Sequence, residues 1–444
     1  MLKNYEIPGA SIALVHKGKL VWSAAYGYAD IKDNRKMTLD AVYRVESISK
    51  SVTAWGVMKL VEEGLIDLDV PVQQYLVNWK LPEFKFSEKK VTVRRLLSNS
   101  AGLTLGTIGE EYYPTSDMPT LQDYLKHEVN IIQEPGSGFI YSNVGYNMLE
   151  MLIEEVSGRD FAEYMAAEVL YPLGMQNSSF SWHENFHSEI PTGYDLHGHP
   201  VQPYVYPVRA SGGLFAVVED VARFVCVEMT GSYYSDHAVL QPETIRLIHS
   251  PEVTIPGIFG VVADSYGFGH FIENLSNGQQ AVWHGGQGHG WMTHLHVVPE
   301  SGEGIVILTN SQRSWPFISV VLDKWSQWCD ISSVKMSRIS DADFVFKVLI
   351  GTVLFVSLLQ MYRLLSGLRS GIRRFNLLTE APRILRLSQA VFGISMIVAL
   401  WWSAVQPYLF ISSIFPDTAN VAGISLLILA IILILSAMLP QIKD

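Results

Sequence analysis

Cysteine is scarce: 444 residues hold two, Cys226 and Cys329. Two thiols are too few for a disulfide framework, and their separation fits no zinc-binding spacing. Basic residues are in the minority as well. Lys and Arg number 32 against 43 acids, a net charge of −11 that argues against nucleic acid as a general partner. Charged residues make up only 17% of the chain, 48% is hydrophobic, and the mean hydropathy is +0.19. So little charge beside a positive hydropathy places part of the chain in lipid. Internal repeats and low-complexity stretches are missing too.

The charge that is present is unevenly spread. From residue 341 onward there are eight bases and five acids, a net +3, which leaves −14 for residues 1–340. Three apolar runs occupy the basic part, at 344–362, 387–416 and 421–439. Each reaches the roughly 20 residues that span a bilayer core. The expected organisation is a domain over 1–335, a linker at 336–343 and a membrane anchor over 344–444. Its spans are expected near 344–363, 387–410 and 420–440, with Trp401, Trp402 and Tyr408 as an interfacial belt. The loop 363–386 carries six arginines and one acid, so it is expected on the cytoplasmic side, with residues 1–340 on the outer face. Export then requires a signal. Met1-Leu-Lys-Asn-Tyr-Glu has no apolar core to serve as one, so an upstream segment missing from this sequence is expected.

In the first 340 residues, 11–16 and 20–26 read as a hairpin around Lys17-Gly18-Lys19. Residues 46–64 read as a helix, with Lys59, Glu62 and Glu63 on its solvated face. Strands are expected at 281–284, 291–298 and 304–310, followed by a helix at 315–328. Strands at both ends with helices between them predict an α/β fold: one sheet closed by the two ends, with a helical insert.

A serine hydroxyl is a weak nucleophile without a base in reach and donors for the developing oxyanion. Ser47-Ile48-Ser49-Lys50 places both residues on one helix face, so the Lys50 amine reaches the Ser47 hydroxyl, and a desolvated lysine there loses its charge and acts as base. Ser-x-x-Lys also occurs at Ser87/Lys90 and Ser332/Lys335, neither of which opens an amphipathic helix. Tyr141-Ser142-Asn143 is the one Tyr-x-Asn in the chain. Alone, such a motif more often marks a half-buried loop tyrosine. In a cationic pocket its phenol is expected to have a lowered pKa and to shuttle protons, while Asn143 holds a substrate carbonyl or orients the lysine. His284-Gly285-Gly286 lies on an expected strand, where glycines admit a ligand close to the backbone and the Gln287 N–H is a candidate oxyanion donor. His284, His289, His294 and His296 crowd one stretch, but no nearby acid or cysteine completes a ligand set, so no metal and no cofactor are expected.

The ordered set Ser-x-x-Lys, Tyr-x-Asn and His-x-Gly resembles the serine β-lactamase-related family. That family comprises class C β-lactamases, low-molecular-weight penicillin-binding proteins, D-aminopeptidases and esterases. Ile7-Pro-Gly-Ala-Ser-Ile12, Val93-Arg-Arg-Leu-Leu-Ser-Asn-Ser-Ala-Gly-Leu103, Pro172-Leu-Gly-Met175 and Ser211-Gly-Gly-Leu-Phe215 extend the resemblance over about residues 5–312. It implies a β-lactamase-like antiparallel sheet flanked by helices. Ser47 would be the acylated nucleophile, Lys50 its proton acceptor, and Tyr141 the second acid/base group. Ser47 and Gln287 would supply the oxyanion hole, and Asn143, His284 and Gly286 would contact substrate. Three positions depart from the family pattern: Glu46 directly before the nucleophile, Asn99 in place of a usual histidine, and His284 in place of lysine. The last favours an esterase or peptidase over a penicillin-destroying enzyme. Membrane-bound peptidases that remove acylated D-asparagine share the architecture, but they carry glutamate where this chain has Arg44 and asparagine where it has Gly288.

The reading that follows is a membrane-tethered serine hydrolase at the bacterial cytoplasmic membrane, acting on small-molecule or peptide amides or esters, including D-amino-acid peptides. The alternative is a catalytically weak penicillin-binding or sensor protein that signals through its helices. Specificity is expected in loops 104–120 and 185–208.

Overall fold

Lys17 and Gly18 both take positive φ, 51° and 72°, the pairing that lets a two-residue turn match the twist of its flanking strands. They join β1 (Gly9–His16) to β2 (Lys19–Asp30), the expected hairpin. The computed structural model describes residues 1–441 apart from 83–84, 109, 184–185, 230–238, 376–382 and 406–409. It divides into two compact units, Met1–Arg338 and Ile339–Asp444.

In the first unit short strands follow the hairpin: β3 (Arg35–Lys36), β4 (Tyr43–Arg44), β5 (Gly193–Tyr194), β6 (Pro200–Val201) and β7 (Phe215–Ala216). The chain then returns to the main sheet with β8 (Val253–Thr254), β9 (Ser265–Tyr266), β10 (Phe271–Asn274), β11 (Gln280–Gly288), β12 (Trp291–Val298) and β13 (Glu303–Thr309). Among the described residues nine strands form one antiparallel sheet in the order β3-β2-β1-β13-β12-β11-β10-β9-β8. The two ends of the unit meet at β1–β13, where Ile12 lies opposite Ile307. This is the closure that strands clustered at both ends imply.

The helices between are α1 (Ser49–Glu62), α2 (Val93–Leu97), α3 (Leu121–Glu128), α4 (Asn143–Ser157), α5 (Phe161–Met165), α6 (Phe186–Glu189), α7 (Val218–Val227) and α8 (Pro242–Ile248). α9 (Trp315–Trp328) follows the sheet. β12 and β13 are buried along their whole length, as strands covered on both faces must be. On one face His294 and His296 meet Trp315 and Trp325 of α9. On the other, Leu295 and Val297 join the core that includes Val221, Phe224 and Val225 of α7. α7 lies so close to β13 that a Cβ at Gly304 would stand 2.5 Å from Val225.

The helix expected over 46–64 divides. Glu46–Ile48 is a 3₁₀ turn, and α1 proper begins at Ser49. Glu46 takes φ 52°, a left-handed conformation that an α-helix cannot include. From Ser49 to Met58 every residue of α1 is buried, so the helix runs through the middle of the helical layer. Its charged end, Lys59 with Glu62 and Glu63, reaches solvent as expected.

The second unit holds α10 (Arg338–Arg369), α11 (Arg383–Ala404), α12 (Phe410–Ile414) and α13 (Thr418–Met438). Three of these, the first running as Lys335–Arg369 with its 3₁₀ lead-in, are long and apolar enough to cross a membrane. α10 starts inside the expected linker, which is therefore helical from Arg338. α11 is described to Ala404, and residues 406–409, Tyr408 among them, lie outside the described residues. α11 and α13 pack closely: a Cβ at Gly393 would meet Ile434 at 2.8 Å and the Ala430 carbonyl at 2.9 Å. Small residues at such a crossing are how helices approach in lipid, where no hydrophobic force drives them together.

Candidate active site

The segment around Ser47 is fixed by backbone and hydroxyl contacts. The Val45 N–H donates to the Leu214 carbonyl at 3.0 Å, and Thr293 Oγ1 donates to the Val45 carbonyl at 2.7 Å. Ser49 Oγ donates to the Glu46 carbonyl at 2.6 Å and accepts from the Leu214 N–H at 3.0 Å. Glu46 itself points away from the helix. Its carboxylate accepts from Arg44 Nε at 3.0 Å, Tyr206 Oη at 3.0 Å and Tyr204 Oη at 3.2 Å. The guanidinium of Arg44 lies 4.1 Å and 4.6 Å from the centres of the Tyr204 and Tyr206 rings. Both charges are almost wholly buried, and their direct pairing, with Arg44 Nη1 also donating to the Tyr204 carbonyl at 2.7 Å, offsets the loss of water.

β11 lies against this cage. A Cβ at Gly288 would stand 2.3 Å from Cδ of Glu46, and one at Gly286 would stand 2.2 Å from the Val45 carbonyl. Glycine is needed at 286 because the strand meets its own chain there. The contact brings Gln287 alongside the Ser47 turn, with its side chain accepting from Trp315 Nε1 at 2.8 Å.

Lys50 is fully buried and donates to the Ser211 carbonyl at 2.7 Å; its Nζ lies 3.1 Å from Ser47 Oγ. Burial disfavours the ammonium more than the Glu46 charge supports it, and the pKa falls to about 7. A neutral amine can donate one N–H to Ser211 and accept the Ser47 proton on its lone pair. Tyr141 closes the other side, its ring centre 4.9 Å from Lys50 Nζ and its hydroxyl hydrogen-bonded to Ser47. Desolvation raises the phenol pKa despite that bond, so the expected lowering is not found. Of the two groups flanking Ser47, the lysine is the one able to act as base near neutral pH.

His284 is buried, with its ring centre 6.2 Å from that of Tyr141. Its Nδ1 lies 2.9 Å from the Gly285 carbonyl, which can only accept, so the proton sits on Nδ1 and Nε2 faces the Tyr266 hydroxyl at 3.3 Å. Burial and the nearby Lys50 hold its pKa well below the ordinary value. His284 therefore occupies the expected place as a neutral ring and supplies no positive charge. Asn143 opens α4, its N–H donating to the Leu105 carbonyl at 3.0 Å, with Ser142 as the capping residue.

Two positioning residues were not legible as such. Asn99 takes φ 53° and grips both neighbours of Tyr141: the Ile140 N–H donates to its carbonyl at 2.8 Å, and the Ser142 N–H to its Oδ1 at 3.0 Å. Ser211, which the sequence offers only as part of a segment extending the family resemblance, supplies the carbonyl that holds Lys50. The expected specificity loops are joined by reciprocal hydrogen bonds between Tyr112 and Val205, at 3.0 Å and 2.7 Å. Together they line a cleft of about 360 Å³ that holds Glu111, Asp195, Tyr204 and His289. The histidine row also differs from expectation: His296 Nε2 lies 3.2 Å from Glu273 Oε1, an acid that the linear sequence places far away.

The family model described as Beta-lactamase matches residues 1–319. The chain belongs to the β-lactamase family. Protein flp of Staphylococcus aureus strain N315 is 24% identical over 93% of this chain and 81% of its own, so the similarity runs on past the family domain. The octameric penicillin-binding protein homologue from Pyrococcus abyssi is 28% identical, with a TM-score of 0.64 over 75% of this chain and 76% of that one. The D-amino acid amidase of Ochrobactrum anthropi SV3, complexed with L-phenylalanine amide, is 25% identical, with a TM-score of 0.56 over 70% of this chain and 88% of that one. The β-lactamase-like sheet and helices thus hold Ser47 and Lys50 within hydrogen-bond reach of each other.

Proposed function

We propose that the chain is a membrane-tethered serine hydrolase that cleaves an amide or ester through an acyl-enzyme. The observation that carries this is the 3.1 Å approach of Ser47 Oγ to a buried Lys50 amine whose pKa lies at about 7. In acylation Lys50 Nζ takes the Ser47 proton as Oγ bonds to the substrate carbonyl carbon. The tetrahedral oxyanion is held by the N–H groups of Ser47 and Gln287. Its collapse breaks the bond to the leaving group, which takes a proton from Tyr141, and Tyr141 is refilled from Lys50. In deacylation water passes a proton back along the same two groups, its oxygen bonds to the acyl carbon, and the ester to Ser47 breaks.

Asn143 and the neutral His284 face the substrate. With no cation at His284, the site lacks the partner a substrate carboxylate would need, which favours uncharged amides and esters over β-lactam carboxylates. The six arginines of 363–386 support a cytoplasmic first loop and a catalytic unit on the outer face of a bacterial membrane.

The test uses membranes expressing the full chain, treated separately with a fluorescent phosphonate and a fluorescent penicillin, with Ser47→Ala as control. Phosphonate labelling that disappears in the variant, with weak or no penicillin labelling, is the expected result. Folded protein that neither probe labels would overturn it.

A further inference from the structure

Three buried side chains from separate elements converge on one another. Glu228 caps the C-terminus of α7, His249 caps that of α8, and His270 lies in the turn between β9 and β10. Glu228 and His270 are fully buried, and His249 is 6% exposed. One ligand atom from each lies within 4.8 Å of the others. His270 Nε2 stands 2.7 Å from Glu228 Oε1, and His249 Nε2 stands 3.8 Å from the same oxygen.

The proton positions decide what such a cluster needs. His270 Nδ1 lies 2.9 Å from the Phe268 carbonyl, an acceptor only, so Nδ1 carries the proton. In a neutral ring Nε2 then turns a lone pair toward a carboxylate, and that contact is attractive only with a cation between the two. A proton on Nε2 would serve one pair. It would leave the rest of the cluster unmet: Glu228 Oε2 and His249 Nε2, both buried, make no hydrogen bond of good geometry. Unmatched buried polar atoms are rare because each forfeits its water without return. One divalent ion would satisfy all three side chains at once. A backbone carbonyl on the far ring nitrogen is also the usual arrangement behind a metal-bound histidine.

We infer that Glu228, His249 and His270 form a structural site for a divalent transition metal of the zinc class, with water completing a tetrahedral set. Two imidazoles and one carboxylate are a borderline donor set suited to zinc. Ligands of a tetrahedral zinc stand about 3.3 Å apart given bonds of about 2.0–2.1 Å. The 2.7 Å and 3.8 Å separations straddle that value, so a small rotation of Glu228 accommodates the ion. The ion would join the ends of α7 and α8 to a turn already fixed on the catalytic helix, where Ser51 Oγ donates to the Gly269 carbonyl at 2.7 Å. Its role is to hold that turn.

The test uses the full chain purified in detergent, stripped with a chelator and titrated with cobalt(II), then with zinc. The expected result is one equivalent of cobalt with the visible bands of a tetrahedral site, displaced by zinc, together with a rise in melting temperature on zinc addition. His270→Ala and Glu228→Gln should each lose the bands. The double variant His197→Ala/His199→Ala, which removes an exposed pair able to bind metal adventitiously, should keep them. Folded wild-type chain that takes up no cobalt overturns the inference. So does uptake that vanishes in the His197/His199 variant. If His270→Ala fails to fold, the wild type, the surface variant and Glu228→Gln decide the matter.

Discussion

The two units bury polar groups in opposite ways. The first hides Arg44, Glu46, Lys50, Glu150, Asp220 and Glu228 from solvent. Among the described residues of the second, the buried polar side chains are hydroxyls alone: Ser357, Ser413, Thr418, Ser425 and Ser436. Ser357 and Ser425 donate to the carbonyls four residues back on their own helices, Val353 and Val421. The second unit also leaves large apolar residues such as Ile384, Leu387 and Trp401 exposed, as a surface meant for lipid must. Burying a charge costs several kcal/mol, offset only by partners or by a shifted pKa. The first unit meets that cost in several places, the surroundings of Ser47 among them, and the second, whose helices are long and apolar enough to cross a membrane, avoids it.

That contrast can be broken most sharply at Ser47. Ser47→Ala should lower ester turnover and phosphonate labelling by about 10⁴-fold or more. The melting temperature should barely move, because the Ser47 side chain makes no capping bond. Next in size, Tyr141→Phe should cut kcat about 10²–10⁴-fold with little change in KM, as loss of a proton relay does. Unchanged kcat would remove Tyr141 from the relay.

Lys50 tests whether charge is given up for chemistry. In the wild type kcat/KM should rise with pH through about 7 as Lys50 loses its proton. The sign for stability follows from the same depression. The unfolded lysine binds its proton up to about 10.4, whereas the folded one releases it near 7, so between those values the unfolded state holds the extra proton. Wild-type stability therefore gains with pH across that window, and chemical denaturation of Lys50→Met should lack this slope. A parallel slope in both proteins would mean that Lys50 is not the group responsible.

Asn99→Ala should cost about 10-fold in kcat while sparing KM, because it removes the Oδ1 that holds the Ser142 N–H just after Tyr141, keeps the Ile140 bond to its backbone carbonyl, and takes away no group that meets substrate. The smallest effect belongs to the second unit. Gly393→Leu should separate α11 from α13 and lower thermal stability in detergent by about 1–3 kcal/mol, the usual range for overpacking, with kcat unchanged. Loss of activity there would show that the anchor is not merely an anchor.

Local pattern carried much of this into the sequence. The 17–18 turn, the late strands and the helix of Trp315–Trp328 are set by near neighbours, so they could be read directly. The pairing of Ser47 with Lys50 was legible for the same reason, since three residues of helix bring them together. Three features depend on contacts across more than 40 residues and were not. The Glu46 cage needs Tyr204 and Tyr206, the Tyr141 clamp needs Asn99, and the neutrality of His284 follows from burial beside Lys50. Glu46 and Asn99, which as bare departures from the family pattern spoke for a sensor with a weakened site, each have a positioning role in this fold. The phenol of Tyr141 was misjudged because a sequence shows a neighbouring cation more readily than the loss of water around a ring.

The reciprocal hydrogen bonds between Tyr112 and Val205 have a consequence for redesign. Segments zipped in this way behave as one mechanical part, so lengthening or swapping either drags the other with it. New selectivity would have to be grafted as a matched pair of segments taken from a single donor, and libraries that randomise one side alone would mostly sample broken clefts.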